Sequence, residues 1–105
     1  MLIVFSVNGV PIRLTDERWK HIVDKHVEMS NEKERVLETI SNPELIQKGD
    51  FGTLLAIRKY RDTPVTDNKF LVVAYKELGT TDGFVLTTYY TKKLRARLIL
   101  YKQKT

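Results

Sequence analysis

Lys69-Phe70-Leu71-Val72-Val73-Ala74-Tyr75-Lys76, then Gly79-Thr80-Thr81-Asp82, then Gly83-Phe84-Val85-Leu86-Thr87-Thr88-Tyr89-Tyr90: two runs dense in β-branched and aromatic residues, parted by a turn-forming quartet, read as consecutive strands. So short a link leaves no room for a crossover helix, and the two strands must pair antiparallel. Towards the N-terminus, Leu45 to Lys48 and Thr53 to Arg61 have the same character, with turn signals at Gly49-Asp50-Phe51-Gly52 and at 63–68. Four strands with short links predict an antiparallel meander.

Before residue 45 the apolar spacing is helical. Thr15 is a natural N-cap, and Asp16 and Glu17 suit the positive end of the helix dipole, so a first helix is expected from about Asp16 to about Val27. Its apolar stripe is Trp19, Ile22, Val23 and Val27. Ser30 can cap a second helix with Val36, Leu37 and Ile40 inward, ending near Asn42 because Pro43 disfavours helical geometry in the residue before it. Leu2 to Val7, Asn8-Gly9 and Val10 to Leu14 read as a β-hairpin, with Pro11 placing its second arm at an edge. This hairpin is expected to brace the core. The predicted fold is α+β: one domain over residues 1–105, with the hairpin and two helices packed on a roughly four-stranded antiparallel sheet.

Composition narrows the chemistry. The chain is 42% hydrophobic and 30% charged, and contains no cysteine, which removes disulfides, thiol nucleophiles and thiolate metal sites. Leu2 to Phe5 is too short for a signal core, so a cytoplasmic protein without a membrane span is expected. The formal charge of +5 is concentrated at the C-terminal end. Lys92, Lys93, Arg95, Arg97, Lys102 and Lys104 occur without an acid after residue 90, which suggests a polyanionic partner such as nucleic acid, or an acidic protein. Leu94, Leu98, Leu100 and Tyr101 are interleaved among these charges, so the segment also reads as a solvated terminal strand.

His21 and His26 are the only imidazoles. Five residues apart on a helix they are turned about 140° from one another, which rules out a shared metal and aims His26 at the protein and His21 at water. Phosphate-binding glycine loops, a nucleophile elbow and a dinucleotide fingerprint are absent, and no cofactor is expected. What remains is acid-base chemistry on a sheet. Arg58 and Tyr60 share one face of their strand with Lys59 on the other, and Thr87 and Tyr89 share one face of the last strand. RNA cleavage by its own 2′-hydroxyl needs a base, an acid and cations. His26 can supply proton transfer, Arg58 charge, and Thr87, Tyr60 or Tyr89 hydrogen bonds or base stacking.

The succession Trp19-Lys20-His21-Ile22-Val23-Asp24-Lys25-His26-Val27-Glu28-Met29, Asn42-Pro43-Glu44, Arg58-Lys59-Tyr60, Val72-Val73-Ala74-Tyr75 and Gly83 to Thr91 resembles the small phage-type members of the barnase, EndoU, colicin and RelE-like nuclease superfamily. Val27 stands where that pattern often has proline. The resemblance, over roughly residues 12–91, implies two helices on a four-stranded antiparallel sheet and a metal-independent ribonuclease site with His26, His21, Arg58, Thr87 and Tyr89. The expected function is thus an endoribonuclease of a toxin or mobile-element system, neutralised by an antitoxin or immunity protein. Lys59, Tyr60, Lys92, Lys93, Arg95 and Arg97 are the expected RNA contacts. The alternative is a non-catalytic domain of the same fold, binding nucleic acid or a protein through the basic segment.

Overall fold

The computed structural model describes residues 1–104. Strands β1 (Leu2–Phe5) and β2 (Pro11–Leu14) form the hairpin, followed by helix α1 (Asp16–Lys25), a single 3-10 turn (Val27–Met29) and helix α2 (Lys33–Ser41). The meander comprises β3 (Leu45–Lys48), β4 (Leu54–Tyr60), β5 (Lys69–Glu77) and β6 (Gly83–Thr91), and β7 (Ile99–Lys102) closes the described chain. The class is α+β with two α-helices, but the sheet is larger than four strands and is mixed: its order is β1-β2-β6-β5-β4-β3-β7.

Two elements extend the meander. The hairpin is no separate brace, because β2 runs parallel to β6 through Ile12↔Gly83 and Arg13↔Phe84. A bidentate pair, Arg13 Nε to Asp82 Oδ1 at 2.8 Å and Nη2 to Oδ2 at 3.0 Å, holds the same junction. At the other edge, the basic segment contains a strand, β7, antiparallel to β3 with a bulge between Ile46 and Gln47.

Local signals work where they are self-contained. The Thr15 hydroxyl accepts from the Arg18 N–H at 3.1 Å, and α1 starts at Asp16. It stops at Lys25 instead of about Val27, with His26 as its C-cap at φ −131°, ψ 76°. Val27 therefore leaves the predicted stripe and is 74% exposed. Ser30 does not begin α2 either: its hydroxyl donates back to the Val27 carbonyl, and the helix starts at Lys33 with Glu32 at the cap.

Both helices cover one face of the sheet. Ile12, Leu14, Ile22, Met29, Val36, Ile40, Ala56, Leu71, Val73, Tyr75 and Val85 form that core. The second face carries no helix, yet Ile57, Val72 and Ala74 on it are buried. They are covered by residues 92–98, which strap across it. β6 and β7 point the same way with β5, β4 and β3 between them, a lateral gap of about 19 Å at roughly 4.8 Å per strand. Ile99 also lies about four residues, or about 13 Å, lower along the strands than Thr91. A diagonal of about 23 Å leaves little slack in eight peptide units that reach about 28 Å at most. The strap is anchored by Gln47 Nε2 to the Arg95 carbonyl at 3.1 Å and by Lys48 N–H to the Leu98 carbonyl at 2.8 Å.

Candidate functional site

The register decides which side chains can meet. Leu45↔Ile57↔Val72↔Tyr89 form one row across the second face, and Gln47↔Leu55↔Ala74↔Thr87 the next. Arg58↔Leu71↔Tyr90 lies on the helix-covered face. A bulge at Leu86 produces this division: Tyr75 pairs with Val85 and Ala74 with Thr87, so the extra residue turns Thr88 and Tyr90 towards the helices and Thr87 and Tyr89 away.

Arg58 is consequently not beside Tyr89. Its Nη1 donates to the Asn42 carbonyl at 2.7 Å, Nε lies 3.9 Å from Glu38, and its guanidinium sits 5.8 Å from the Tyr60 ring centre. Tyr60 donates to Glu38, and Arg35 covers the Tyr60 ring at 4.5 Å. Tyr90 donates to Glu32, which lies 3.4 Å from Arg35. Burial and the bond to Glu38 push the Tyr60 hydroxyl up to about 12, and burial and Glu32 raise Tyr90 likewise. These groups clamp α2 to β4 and β6. The expected roles of Arg58 in holding substrate charge and of Tyr60 in contacting RNA do not fit that placement, because both side chains are committed to the helix.

Each histidine, by contrast, lies near β6. β2 covers β6 only at Gly83 and Phe84, so beyond Phe84 the edge of β6 is unpaired and α1 runs beside it. His21, Arg18 and Lys25 share a recess of about 110 Å³ with Thr87 and Leu86. Further along the same edge the His26 ring lies 6.1 Å from the Tyr89 ring, tilted by 33°. His21 stays exposed at the rim of the recess, as helical phase expects, while His26 is the non-helical C-cap of α1 and its ring is placed by its own φ/ψ. The His26 side chain is one-third exposed, and its Nδ1 lies 3.4 Å from Glu28 Oε1. A carboxylate at Nδ1 orients the ring and leaves Nε2 for a substrate.

Tyr89 is the bridge to a second feature. Together with Gln47, Leu55, Val72 and Thr91 it floors a cleft of about 370 Å³ whose other wall is the strap, through Lys93, Leu94, Arg95 and Arg97. Thr91 Oγ1 donates to the Lys93 carbonyl at 3.0 Å, fixing the strap where it leaves the sheet. Arg97 is 3.3 Å from Asp50, and Lys93 and Arg95 are exposed. Lys92 is exposed just outside, and Lys59, over the Phe70 ring at 5.6 Å, stands on the same face in the row that ends at Thr91.

Tyr89 thus borders both the His26 imidazole and the cleft walled by the strap, while His21 lies with Thr87 in a separate recess. Gln47 and Glu28 were not singled out from sequence as site residues; a Glu two residues after a histidine that ends its helix is the one local signal for the latter. Among the described residues no three His, Asp or Glu side chains are grouped to hold a metal ion, and no helix is long and apolar enough to cross a membrane. No family model, no curated protein and no solved structure matches the chain.

Proposed function

We propose that the protein is a metal-independent endoribonuclease whose site lies at the β6 edge and the strap cleft. The observation that carries this reading is Tyr89, which contacts the imidazole of His26 on one side and floors the cationic cleft on the other. A cleft with a wall of Lys93, Arg95 and Arg97 suits a phosphodiester, and half-buried Tyr89 offers a ring for a base. His26 Nε2, with Glu28 beside Nδ1, takes the 2′-hydroxyl proton. The 2′-oxygen then attacks the adjacent phosphorus, and Lys93 and Arg95 stabilise the charge on the phosphorane oxygens. The bond to the 5′-oxygen breaks, that oxygen takes a proton from the Tyr89 hydroxyl, and a 2′,3′-cyclic phosphate remains. Relative to the roles drawn from sequence, the cations move from Arg58 to the strap. The motif resemblance quoted above supports the same reaction class, and with it a neutralising protein partner and a toxin or mobile-element setting.

The test is incubation of the purified protein with single-stranded RNA in excess chelator, with the new ends identified. Cleavage leaving 2′,3′-cyclic phosphate is expected; a requirement for added magnesium, or 3′-hydroxyl ends, would overturn the reading. Arg58→Met should keep cleavage within about threefold of the parent while lowering stability by about 1–3 kcal/mol, since the Asn42 carbonyl loses a charged donor. Activity assay and denaturant melt on the same sample separate the two. The non-catalytic alternative retains one specific support, the exposure of Lys93 and Arg95 on the strap, and predicts RNA binding without new ends.

A further inference from the structure

The sheet ends at β7, and among the described residues no strand pairs with its outer side. Its inner side is tied at both ends, by Lys48 N–H to the Leu98 carbonyl at 2.8 Å and Gln103 N–H to the Glu44 carbonyl at 2.9 Å. The Ile99 N–H points away from the inward Leu98 carbonyl, and the bulge at Leu100 resets the alternation so that the Lys102 N–H, next to inward Gln103, also points outward. Leu98, Ile99, Leu100 and Tyr101 are four consecutive large apolar side chains, all exposed, on both faces of this one strand. Native sheets rarely leave such an edge open, because it is a template for another strand.

Charge selects the occupant. Residues 95–104 carry Arg95, Arg97, Lys102 and Lys104 and no acid, and among the described residues Arg97 alone of these is ion-paired, with Asp50. A second copy laid along β7 would bring four cations from each chain to one seam. The β1 edge differs: Leu2, Ile3 and Phe5 are exposed there without a cation among them.

We propose that β7 is the docking site for an extended acidic segment of another protein, which adds a strand to the sheet at Ile99–Lys102 with apolar side chains on the face of Tyr101 and carboxylates on the face of Lys102 and Lys104. The proposal stands on the edge and its charge, and is independent of whether the cleft cleaves RNA.

The experiment uses the full chain, isotopically labelled, titrated with a short synthetic peptide alternating valine and glutamate and with its valine–lysine counterpart, at low and moderate salt. The acidic peptide should shift and slow exchange of the Ile99 and Lys102 amides, bind at least about tenfold more tightly than the basic one, and weaken as salt rises. Ile99→Pro removes one outward donor and should abolish this pairing. Lys102→Glu with Lys104→Glu leaves the backbone intact and should reverse the preference, which keeps the test decisive if the proline variant does not fold. Equal binding of the two peptides, no change at residues 99–102, changes confined to Leu2–Phe5, or self-association of the protein through β7 would each overturn the proposal.

Discussion

Replacing His26 with alanine should lower RNA cleavage by about 10² to 10⁴ while leaving RNA affinity and stability nearly unchanged. General acid-base catalysis by a single positioned group is typically worth that factor. The fold has little at stake in this side chain, because α1 is ended by the His26 backbone, whose N–H donates to the Ile22 carbonyl at 2.8 Å, and the imidazole's polar contact is a loose one with Glu28. Glu28→Gln should cost less, about tenfold, since it disturbs the orientation of the ring and not the ring itself. The cations act on binding as well as on rate, since they hold the phosphate before the phosphorane forms. Lys93→Ala and Arg95→Ala should weaken binding across all RNA sequences and each reduce the slope of log affinity against log salt by about 0.7, the value for one single-strand phosphate contact. Cleavage rate measured at saturating RNA and affinity measured by salt titration separate the two classes. If His26→Ala is fully active, the chemistry lies elsewhere.

The second large effect is on stability. Gly83→Ala should destabilise the protein by about 3 kcal/mol, towards the upper end for overpacking, and lower its melting temperature by roughly 10 °C or more. A Cβ at this position would lie 2.5 Å from Ile12 Cδ1 and 2.6 Å from the Lys76 carbonyl oxygen. The Ile12 methyl can move only into a packed core, since Ile12 is fully buried, and the carbonyl belongs to the neighbouring strand. Because Gly83 pairs with Ile12, the strain falls on the strand pairing that ties the hairpin to the sheet. Loss should therefore appear first as amide exchange in β1 and β2, ahead of the meander. A melting temperature unchanged from the parent would show that the junction is looser than these contacts imply.

Short-range chemistry made much of this fold legible. The Thr15 cap, the Pro43 stop and the turn quartet before Gly83 act within a few residues, and α1, the end of α2 and β3 to β6 follow from them. Apart from the exact helix ends at Lys25 and Lys33, the misses are non-local. Parity along each strand correctly separates Arg58 from Lys59 and Thr87 from Thr88, yet which faces coincide depends on register and on the bulge at Leu86, and neither is encoded near those residues. The basic segment reads as a solvated terminal strand, which β7 is, but its pairing is not legible because its partner, β3, lies some fifty residues earlier. Helical phase failed for His26 because the helix ends one residue before it.

The near-straight path of residues 92–98 also orders events in time. Strap and β7 need β3, β4, β5 and β6 already side by side, because a span with so little spare length cannot close over a sheet that is still spreading. During synthesis the meander precedes the strap, and until the strap lies down the apolar strip of Ile57, Val72 and Ala74 faces water. The cationic wall of the cleft is thus the last part of the site to form, and a chain still being made has the imidazoles and Tyr89 but nothing opposite them.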